Sequence, residues 1–217
     1  GNELPEGDKN YAVRLYINDG KGNFAPKKDA LPNNYFSGSC IAGADFDKDG
    51  DIDLFIGGRQ VPGKYLHSTS SYIYRNDNGK FTDITAQVAP ELKNIGMVSS
   101  AIWSDFNNDN NLDIVLGGDW MPVTFLQNEG GKFKDVTAST GITNNTGWWQ
   151  SITAADLDND GDMDYICGNF GSNRRFKNTV SEKDGKPLPL EAFSSDFDGN
   201  GTQDFVMAYY QHDKLFP

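Results

Sequence analysis

Residues 156–164, with the sequence DLDNDGDMD, carry carboxylates at a spacing that suits a metal ion. Counted as a loop, positions 1, 3, 5 and 9 are all aspartate, and Gly161 at position 6 permits the sharp turn that points them inward. This is the ligand spacing of a calcium loop, in which position 7 supplies a backbone carbonyl. Magnesium suits the pattern less well, because it prefers fewer protein ligands and keeps its waters. The spacing therefore predicts a calcium site.

The same loop occurs four times along the chain, beginning at Asp45, Asp105, Asp156 and Asp196. Repetition of this kind indicates a repeat architecture that holds three or four structural calcium ions. Only Asn110 replaces glycine at position 6, and since asparagine tolerates a positive φ best after glycine, we expect the second loop to be the more strained one. The predicted metal ligands, at the five odd positions of the four loops, are Asp45, Asp47, Asp49, Asp51, Asp53, Asp105, Asn107, Asp109, Asn111, Asp113, Asp156, Asp158, Asp160, Asp162, Asp164, Asp196, Asp198, Asn200, Thr202 and Asp204.

The residues that follow each loop exclude an EF-hand. That motif needs a flanking helix and a bidentate glutamate at position 12, whereas position 12 is Ile56, Leu116, Cys167 and Met207 in the four loops. Each loop instead runs into a short apolar, β-favouring segment: LFIGG, IVLGG, YICGN or FVMAY. The loops are therefore predicted to join two β-strands.

Composition supports a globular all-β chain of 217 residues, with 37% hydrophobic residues and 24 glycines. The net charge of −12 argues against binding to nucleic acid or to anionic membranes. The sequence contains no apolar stretch of about 18 residues, so it predicts no membrane-spanning helix. Much of the acidity lies in the loops, and four calcium ions would add eight charges and bring −12 to −4. Cys40 and Cys167 lie in different repeats, so we expect two small buried thiols rather than a disulfide.

A second repeated unit is a hairpin, which occurs at residues 14–24, 72–85 and 124–137 with turns rich in Asn, Asp and Gly. Paired with the two strands around an acidic loop, this hairpin makes a four-stranded antiparallel unit. The first aspartates of successive loops are 60, 51 and 40 residues apart, close to the length of one β-propeller blade.

These residues resemble the FG-GAP or VCBS repeat of integrin-like β-propellers, in which each blade carries a DxDxDGxxD calcium loop between its first two strands. The blocks GGRQVPGKY, RNDNGKFTDIT, GGDWMP, GWWQSITAADLDNDGDMD and DFDGNGTQDFVMAYY are more narrowly similar to secreted cartilage-acidic-protein-like (UnbV-type) propellers. The resemblance implies a single partial propeller over residues 1–217. Its predicted parts are outer strands of a preceding blade (1–36), three blades (37–95, 96–146 and 147–186) and inner strands of a further blade (187–217).

Two geometries are compatible with this division. The terminal halves either pair to close a small four-bladed ring, or they leave an open arc with bare strand edges. We expect the arc, because related propellers have about seven blades and the resemblance suggests that the sequence continues past Pro217. The resemblance and the calcium loops together imply a secreted or cell-surface protein, with the targeting signal absent from this stretch.

The blade topology places the calcium loops and the variable loops at opposite ends of the strands. Aromatic, amide and guanidinium side chains on the variable side could stack on and hydrogen-bond a sugar or peptide. We therefore expect a module that binds a protein or glycan. The alternative is part of a carbohydrate-active enzyme, although no catalytic constellation is recognisable. Packing between blades is the competing interpretation for Trp148 and Trp149, and core packing is expected for Trp103. The candidate ligand-binding residues are Arg59, Gln60, Trp120, Trp148, Trp149, Asn169, Asn173 and Arg174.

Overall fold

The structure, a computed structural model, describes residues 4–143, 145–170 and 179–217. The predicted all-β class is confirmed, since the described helices are single turns. Among these residues, none of the helices has the length and apolar character that a bilayer crossing requires. The short helices are the α-helix Thr85–Val88 and the 3-10 turns Lys9–Tyr11, Pro90–Asn94 and Thr137–Ser139. The strands are β1 Tyr16–Asn18, β2 Phe24–Pro26, β3 Gly38–Ala44, β4 Asp53–Gly58, β5 Tyr72–Asp77, β6 Lys80–Asp83, β7 Met97–Ser104, β8 Asp113–Met121, β9 Thr124–Asn128, β10 Phe133–Asp135, β11 Gly147–Ala155, β12 Asp164–Asn169, β13 Thr179–Val180, β14 Pro187–Leu188, β15 Glu191–Ser195, β16 Asp204–Gln211 and β17 Lys214–Phe216.

Two complete four-stranded antiparallel sheets form the centre of the described fold. Strands β3 to β6 pair in chain order, and β7 to β10 do the same. Each acidic loop joins the first and second strand of its sheet, as predicted. The third repeat contributes the pair β11 and β12, and β11 also reaches the end of β8, where Trp148 pairs with Asp119. The second and third repeats are thereby hydrogen-bonded to each other.

Two features of the strands near the C-terminus were not predicted from the sequence. The hairpin of β13 and β14 lies across residue 186, where the sequence analysis places a boundary, because Gly185 at φ +69° closes a turn there. The last sheet contains a third strand, β17, in addition to the two expected inner strands. His212 and Asp213, both at positive φ, form the turn that brings β17 back onto β16. The number of blades and their exact limits stay predictions from the sequence.

The hydrophobic core lies between successive sheets rather than at their centres. The largest cluster joins the first two sheets and includes Phe46, Phe55, Leu116 and Leu126. Trp103 packs against this cluster, with its ring parallel to Phe46 at a centroid distance of 5.4 Å, so its predicted role in packing is confirmed. A second cluster forms between β8, β9 and the third repeat. Burying one face of each sheet against the next is what stacks the repeats side by side.

Paired glycines occur in the second strand of the first two sheets, at the end of β4 and three residues before the end of β8, and close backbone approach explains them. A Cβ on Gly58 would lie 2.1 Å from the Ser70 carbonyl oxygen, and one on Gly118 would lie 2.0 Å from the Met97 carbonyl oxygen. Both distances are far inside van der Waals contact, so only glycine fits. The GG pairs thus set how closely neighbouring backbone passes the half of the strand that is farther from the acidic loop.

Candidate calcium loops and ligand-binding face

The aspartate at position 1 organises each acidic loop by accepting backbone hydrogen bonds. In the first loop, Asp45 Oδ1 accepts from the Asp49 N–H at 3.1 Å and Asp45 Oδ2 accepts from the Gly50 N–H at 3.0 Å. Asp105, Asp156 and Asp196 accept from positions 5 and 6 of their own loops in the same way. The carboxylate thus folds the chain around itself, which is why the loop needs aspartate rather than glutamate there.

Carboxylate oxygens converge inside three of the four loops. One oxygen from each of positions 1, 3 and 9 lies within 4.8 Å of the other two, and the groups are Asp45, Asp47 and Asp53; Asp156, Asp158 and Asp164; and Asp196, Asp198 and Asp204. The second loop has Asn107 at position 3, so an amide oxygen takes the place of a carboxylate there. Three hard oxygen donors at this separation form the kind of donor set that calcium takes.

The position 9 aspartates are the buried members of the first two loops. Asp53 and Asp113 are fully buried. Burial raises the pKa of Asp53 to about 6 and that of Asp113 to about 6, although hydrogen bonds from the backbone partly offset the effect. A buried carboxylate with neighbouring anions is unfavourable by itself, and a bound cation would remove that conflict.

Two asparagines in the outer hairpins hold these buried carboxylates, and the sequence analysis missed their role. The Asn76 N–H donates to Asp53 Oδ1 at 2.8 Å, and the Asn128 N–H donates to Asp113 Oδ1 at 2.7 Å. Each asparagine side chain also donates to the backbone carbonyl just before the aspartate. The signal was present, because both asparagines occupy the same place in the repeated hairpins YIYRNDNGKF and TFLQNEGGKF.

Each loop contains two residues in the left-handed region of backbone space. Position 6 is one, with Gly50 at φ +96° and Asn110 at φ +67°, so asparagine adopts the predicted conformation in the second loop. Position 4 is the other, and its positive φ was not predicted; the residues are Lys48, Asn108, Asn159 and Gly199. Asparagine or glycine at three of these four places was the available signal.

Side chains at position 4 and position 7 connect successive loops. Lys48 Nζ donates to Asn111 Oδ1 at 3.2 Å, which links the first loop to the second. Asn108 Nδ2 donates to Asp162 Oδ1, which links the second loop to the third. The sequence analysis assigned position 7 to a backbone carbonyl alone, so this use of its side chain is an addition. The first three loops therefore form a connected row instead of separate sites.

Those candidate ligand-binding residues that the structure describes lie at the other end of the same strands. β4 begins at Asp53 in the loop and ends before Arg59, which places the two residues about 20 Å apart at the usual rise of a strand. Arg59 Nη2 donates to Asp119 Oδ2 at 2.7 Å, and Gln150 Nε2 donates to Asp119 Oδ1 at 3.0 Å. Gln60 lines the same pocket as Arg59 and Gln150. Asp119 and Gln150 were not among the predicted residues.

Trp120 has an unusual backbone conformation for a bulky residue, with φ +59°. Its indole N–H donates to the Tyr65 hydroxyl at 3.1 Å, and its ring meets Trp148 edge to face at a centroid distance of 4.9 Å. Trp120 and Trp148 line a cavity of about 140 Å³ together with Asn169. Strained residues of this kind occur often at binding sites, where the surrounding contacts hold them in place.

The remaining predicted residues divide between packing and the undescribed part of the chain. Trp149 packs against the cluster formed by β8, β9 and the third repeat, and its indole N–H donates to the Asn145 carbonyl at 2.9 Å. The structure therefore places Trp149 in packing rather than on the ligand face. Asn173 and Arg174 lie outside the described residues. Cys40 and Cys167 are half-buried thiols in different clusters, and burial raises the pKa of each.

Comparison with known proteins identifies the repeat. A family profile described as an FG-GAP-like repeat matches residues 7–56 and 105–167, which is just over half of the chain. A solved structure similar to this chain is that of an Agrocybe aegerita lectin, described as specifically recognising non-reducing terminal N-acetylglucosamine, with 23% identity and a TM-score of 0.46. The match covers 94% of this chain and 60% of the lectin chain. No curated protein matches the chain. The narrower similarity to cartilage-acidic-protein-like propellers stays a prediction.

Proposed function

This chain belongs to the family of FG-GAP-like repeat proteins, and we propose that it is a calcium-stabilised module that binds a glycan or protein partner. The acidic loops would hold the metal ions at one end of the strands, and the face around Arg59 and Trp120 would bind the partner at the other end. The observation that carries the proposal is this separation of acidic loops from a face that combines aromatic rings with a held guanidinium.

The loops fit calcium by the chemistry of their donors. Three carboxylate oxygens within 4.8 Å in each of three loops supply hard, anionic ligands, and the backbone carbonyl at position 7 supplies a neutral one. In the first two loops the buried aspartate at position 9 accepts a hydrogen bond from the third strand, so the loop is connected to that strand as well as to the two strands that it joins. Bound calcium would neutralise part of the charge of the loop carboxylates. We expect that effect to stabilise the connection between the first two strands, which has little apolar surface of its own.

Calcium titration by calorimetry on the chelated protein, with metal content counted on the untreated sample, tests the first half of the proposal. We expect three or four bound ions per chain and a melting temperature that rises with calcium but much less with magnesium. An unchanged melting curve in excess chelator would contradict a structural role for the metal. The same experiment bears on where the protein works. Modules of this kind bind calcium with dissociation constants of about 10⁻⁴–10⁻³ M outside cells, so the proposed location is extracellular or at the cell surface.

The ligand face supports binding rather than catalysis. Arg59, Gln150 and Trp120 are held by other side chains, and a site with its groups already in place binds a partner at a lower entropic cost. Among the described residues, the three groups of acidic side chains close enough to share a metal all belong to the calcium loops. We therefore assign carboxylates to metal binding and propose no reaction.

An array of neutral, N-acetylated and uronic acid glycans, together with extracellular proteins, tests the second half of the proposal. We expect at least one glycan or protein to bind in the presence of calcium, and the substitution Trp120→Ala to weaken that binding. As a control, Phe216→Ala removes another half-exposed aromatic ring, which is on the last strand and lines neither the polar pocket nor the tryptophan cavity, and it leaves binding unchanged. A protein that binds nothing on the array, or whose binding is unaffected by Trp120→Ala, would contradict the assignment of this face.

A further inference from the structure

Asp119 is a buried residue that contacts two side chains of the proposed ligand face, Arg59 and Gln150. The groups around it indicate what kind of ligand this face binds. Only 4% of its side chain is exposed, and its backbone pairs with Met97 of β7 and with Trp148 of β11. Its two carboxylate oxygens each accept from a different side chain, Arg59 at 2.7 Å and Gln150 at 3.0 Å. The guanidinium and the amide are thus held side by side by one anion.

Both groups line an open pocket of about 420 Å³ whose surface is almost entirely polar. The side chains of Ser39, Ser99 and Gln150 line it at matching places, since each residue is the bulge in the first strand of its sheet. A bulge turns a side chain out of the regular pattern of a strand. The Ser39 hydroxyl lies 3.0 Å from the Gly57 carbonyl oxygen and 2.5 Å from that of Val98, so it bridges two sheets. The pocket therefore lies where the repeats meet.

Arg59 is the cationic group of this pocket, and Asp119 uses only part of the hydrogen-bonding capacity of its guanidinium. A guanidinium has five N–H donors. Nη2 donates to Asp119, whereas Nε is buried and has no hydrogen-bond partner among the described residues. The side chain is 42% exposed and lines the pocket. A planar fork of donors held in this way matches a carboxylate better than a hydroxyl, because two parallel charge-assisted hydrogen bonds can form.

The aromatic cavity next to this pocket indicates that the carboxylate belongs to a sugar. Trp120 follows Asp119 in β8, and Trp148 pairs with Asp119 from β11, so the cavity that these two rings line is next to the residue that holds Arg59 and Gln150. At about 140 Å³ the cavity is of the size of a single small ring or substituent. The apolar face of a pyranose packs on an indole ring while its polar groups form hydrogen bonds.

We infer that the ligand of this face is an acidic glycan, with a uronic acid carboxylate bound by Arg59 and Gln150 and a neighbouring sugar ring placed against Trp120 and Trp148. The inference rests on the proposed function and narrows it to one class of glycan. Asp119 acts as a positioning residue, because it orients both donors and does not contact the sugar. The net charge of −12 does not oppose this assignment, since the acidic loops lie at the far end of the strands and four calcium ions would neutralise about half of the charge of their sixteen aspartates.

The test measures binding of oligosaccharides that contain glucuronate, galacturonate or mannuronate, each beside its carboxyl-reduced neutral counterpart, at one fixed calcium concentration. We expect at least one uronate oligosaccharide to bind about tenfold or more tightly than its neutral counterpart, the difference that a charge-assisted pair of hydrogen bonds supplies. Its affinity should fall as salt is raised, whereas binding of a neutral sugar should not change.

The variant R59Q/D119N removes the guanidinium without leaving a buried anion unpaired, and we expect it to lose the preference for the uronate. R59K keeps the charge but not the planar fork of donors, so the preference for the uronate should fall without vanishing. A melting curve in calcium shows whether the double variant folds, and R59K tests the inference if it does not. R75Q is the matched control, because Arg75 pairs with Asp77 at 3.1 Å on an outer strand away from this face. That variant should bind like the unaltered protein.

Three other outcomes of these binding measurements would each contradict a different part of the inference. Equal binding of uronate and neutral sugars contradicts the role of Arg59 while the proposed glycan-binding function stands. Binding of an oligoglutamate peptide as tightly as the uronate contradicts the assignment to a sugar. Failure of all these oligosaccharides to bind contradicts the inference, and the proposed function is then decided separately by the array of neutral glycans and proteins.

Discussion

Arg59 and Asp119 form an ion pair that joins the first sheet to the second, with 2.7 Å between Arg59 Nη2 and Asp119 Oδ2. The carboxylate is 4% exposed and the guanidinium side chain is 42% exposed, so the pair is buried on one side only. The bond connects the end of one strand to a residue 60 positions away. It therefore contributes both to the proposed ligand face and to the contact between repeats.

We expect Asp119→Ala to lower the free energy of unfolding by about 1–3 kcal/mol, less than a fully buried pair would lose, because solvent screens the exposed side of Arg59. Urea unfolding in calcium measures this, and a cycle with Arg59→Ala isolates the coupling between the two residues. The exposed pair Arg75 and Asp77 serves as the comparison, with an expected coupling of at most about 1 kcal/mol. If the losses of unfolding free energy in the two single variants add up to the loss in the double variant, the ion pair contributes nothing to joining the sheets.

The four loops should bind calcium with two classes of affinity, because their charge differs. The first and third loops carry aspartate at all five odd positions, whereas the second and fourth carry three aspartates each. Affinity rises with the number of charged ligands, so we expect two tighter and two weaker sites by calorimetry. The variant D158N/D162N gives the third loop the odd-position residue types of the second. It should move one site from the tighter class to the weaker, and four equal sites in the unaltered protein would contradict the charge argument.

The calcium-free protein, prepared with chelator and then desalted, should lose stability as the pH rises from about 4 to about 6. Burial raises the pKa of Asp53 to about 6 and that of Asp113 to about 6, above the ordinary value of 3.8. The folded state therefore binds these protons more tightly than the unfolded state, and its advantage disappears once both carboxyl groups ionise.

Asp53→Asn tests the origin of that pH dependence, since it keeps the shape and removes the charge. We expect its melting temperature in the calcium-free state to vary less between pH 4 and pH 6 than that of the unaltered protein, and to be higher at about pH 7. In calcium the order should reverse, because the first loop has lost a ligand. Asp77→Asn, at an exposed residue of the same sheet, is the control and should leave the pH profile unchanged. A pH profile of Asp53→Asn that matches the unaltered protein would show that another group is responsible.

Asn108→Gly should reveal the connection between the second and third loops. Position 4 has a positive φ, so glycine keeps the backbone and removes only the side chain that donates to Asp162. We expect a loss of about 0.5–1.5 kcal/mol, the usual contribution of one hydrogen bond. Asn159→Gly is the matched control, because Asn159 occupies position 4 of the third loop and its side chain makes no hydrogen bond to another described residue. Equal melting temperatures for the two variants would show that the contact between the loops adds no stability.

The sequence alone determined the acidic loops, the all-β class and the four-stranded unit. Each of these depends on residues close together along the chain. Nine consecutive residues from Asp45 contain the ligand spacing, Gly50 marks the turn, and the apolar run from Leu54 marks the strand that follows. Because the pattern recurs, one copy could be checked against the others, and the same comparison would have identified Asn76 and Asn128.

Only the tertiary structure decided which side chains meet between repeats. Arg59 meets Asp119 because the bulged first strands and the paired glycines set how closely successive sheets approach. Trp149 turns into the core while Trp148 lines the cavity, since adjacent residues of a strand point to opposite sides and packing decides which side is buried. Contacts of this kind depend on the distance and angle between sheets. Those quantities are set by the summed packing of many residues far apart in the chain, and no local pattern records them.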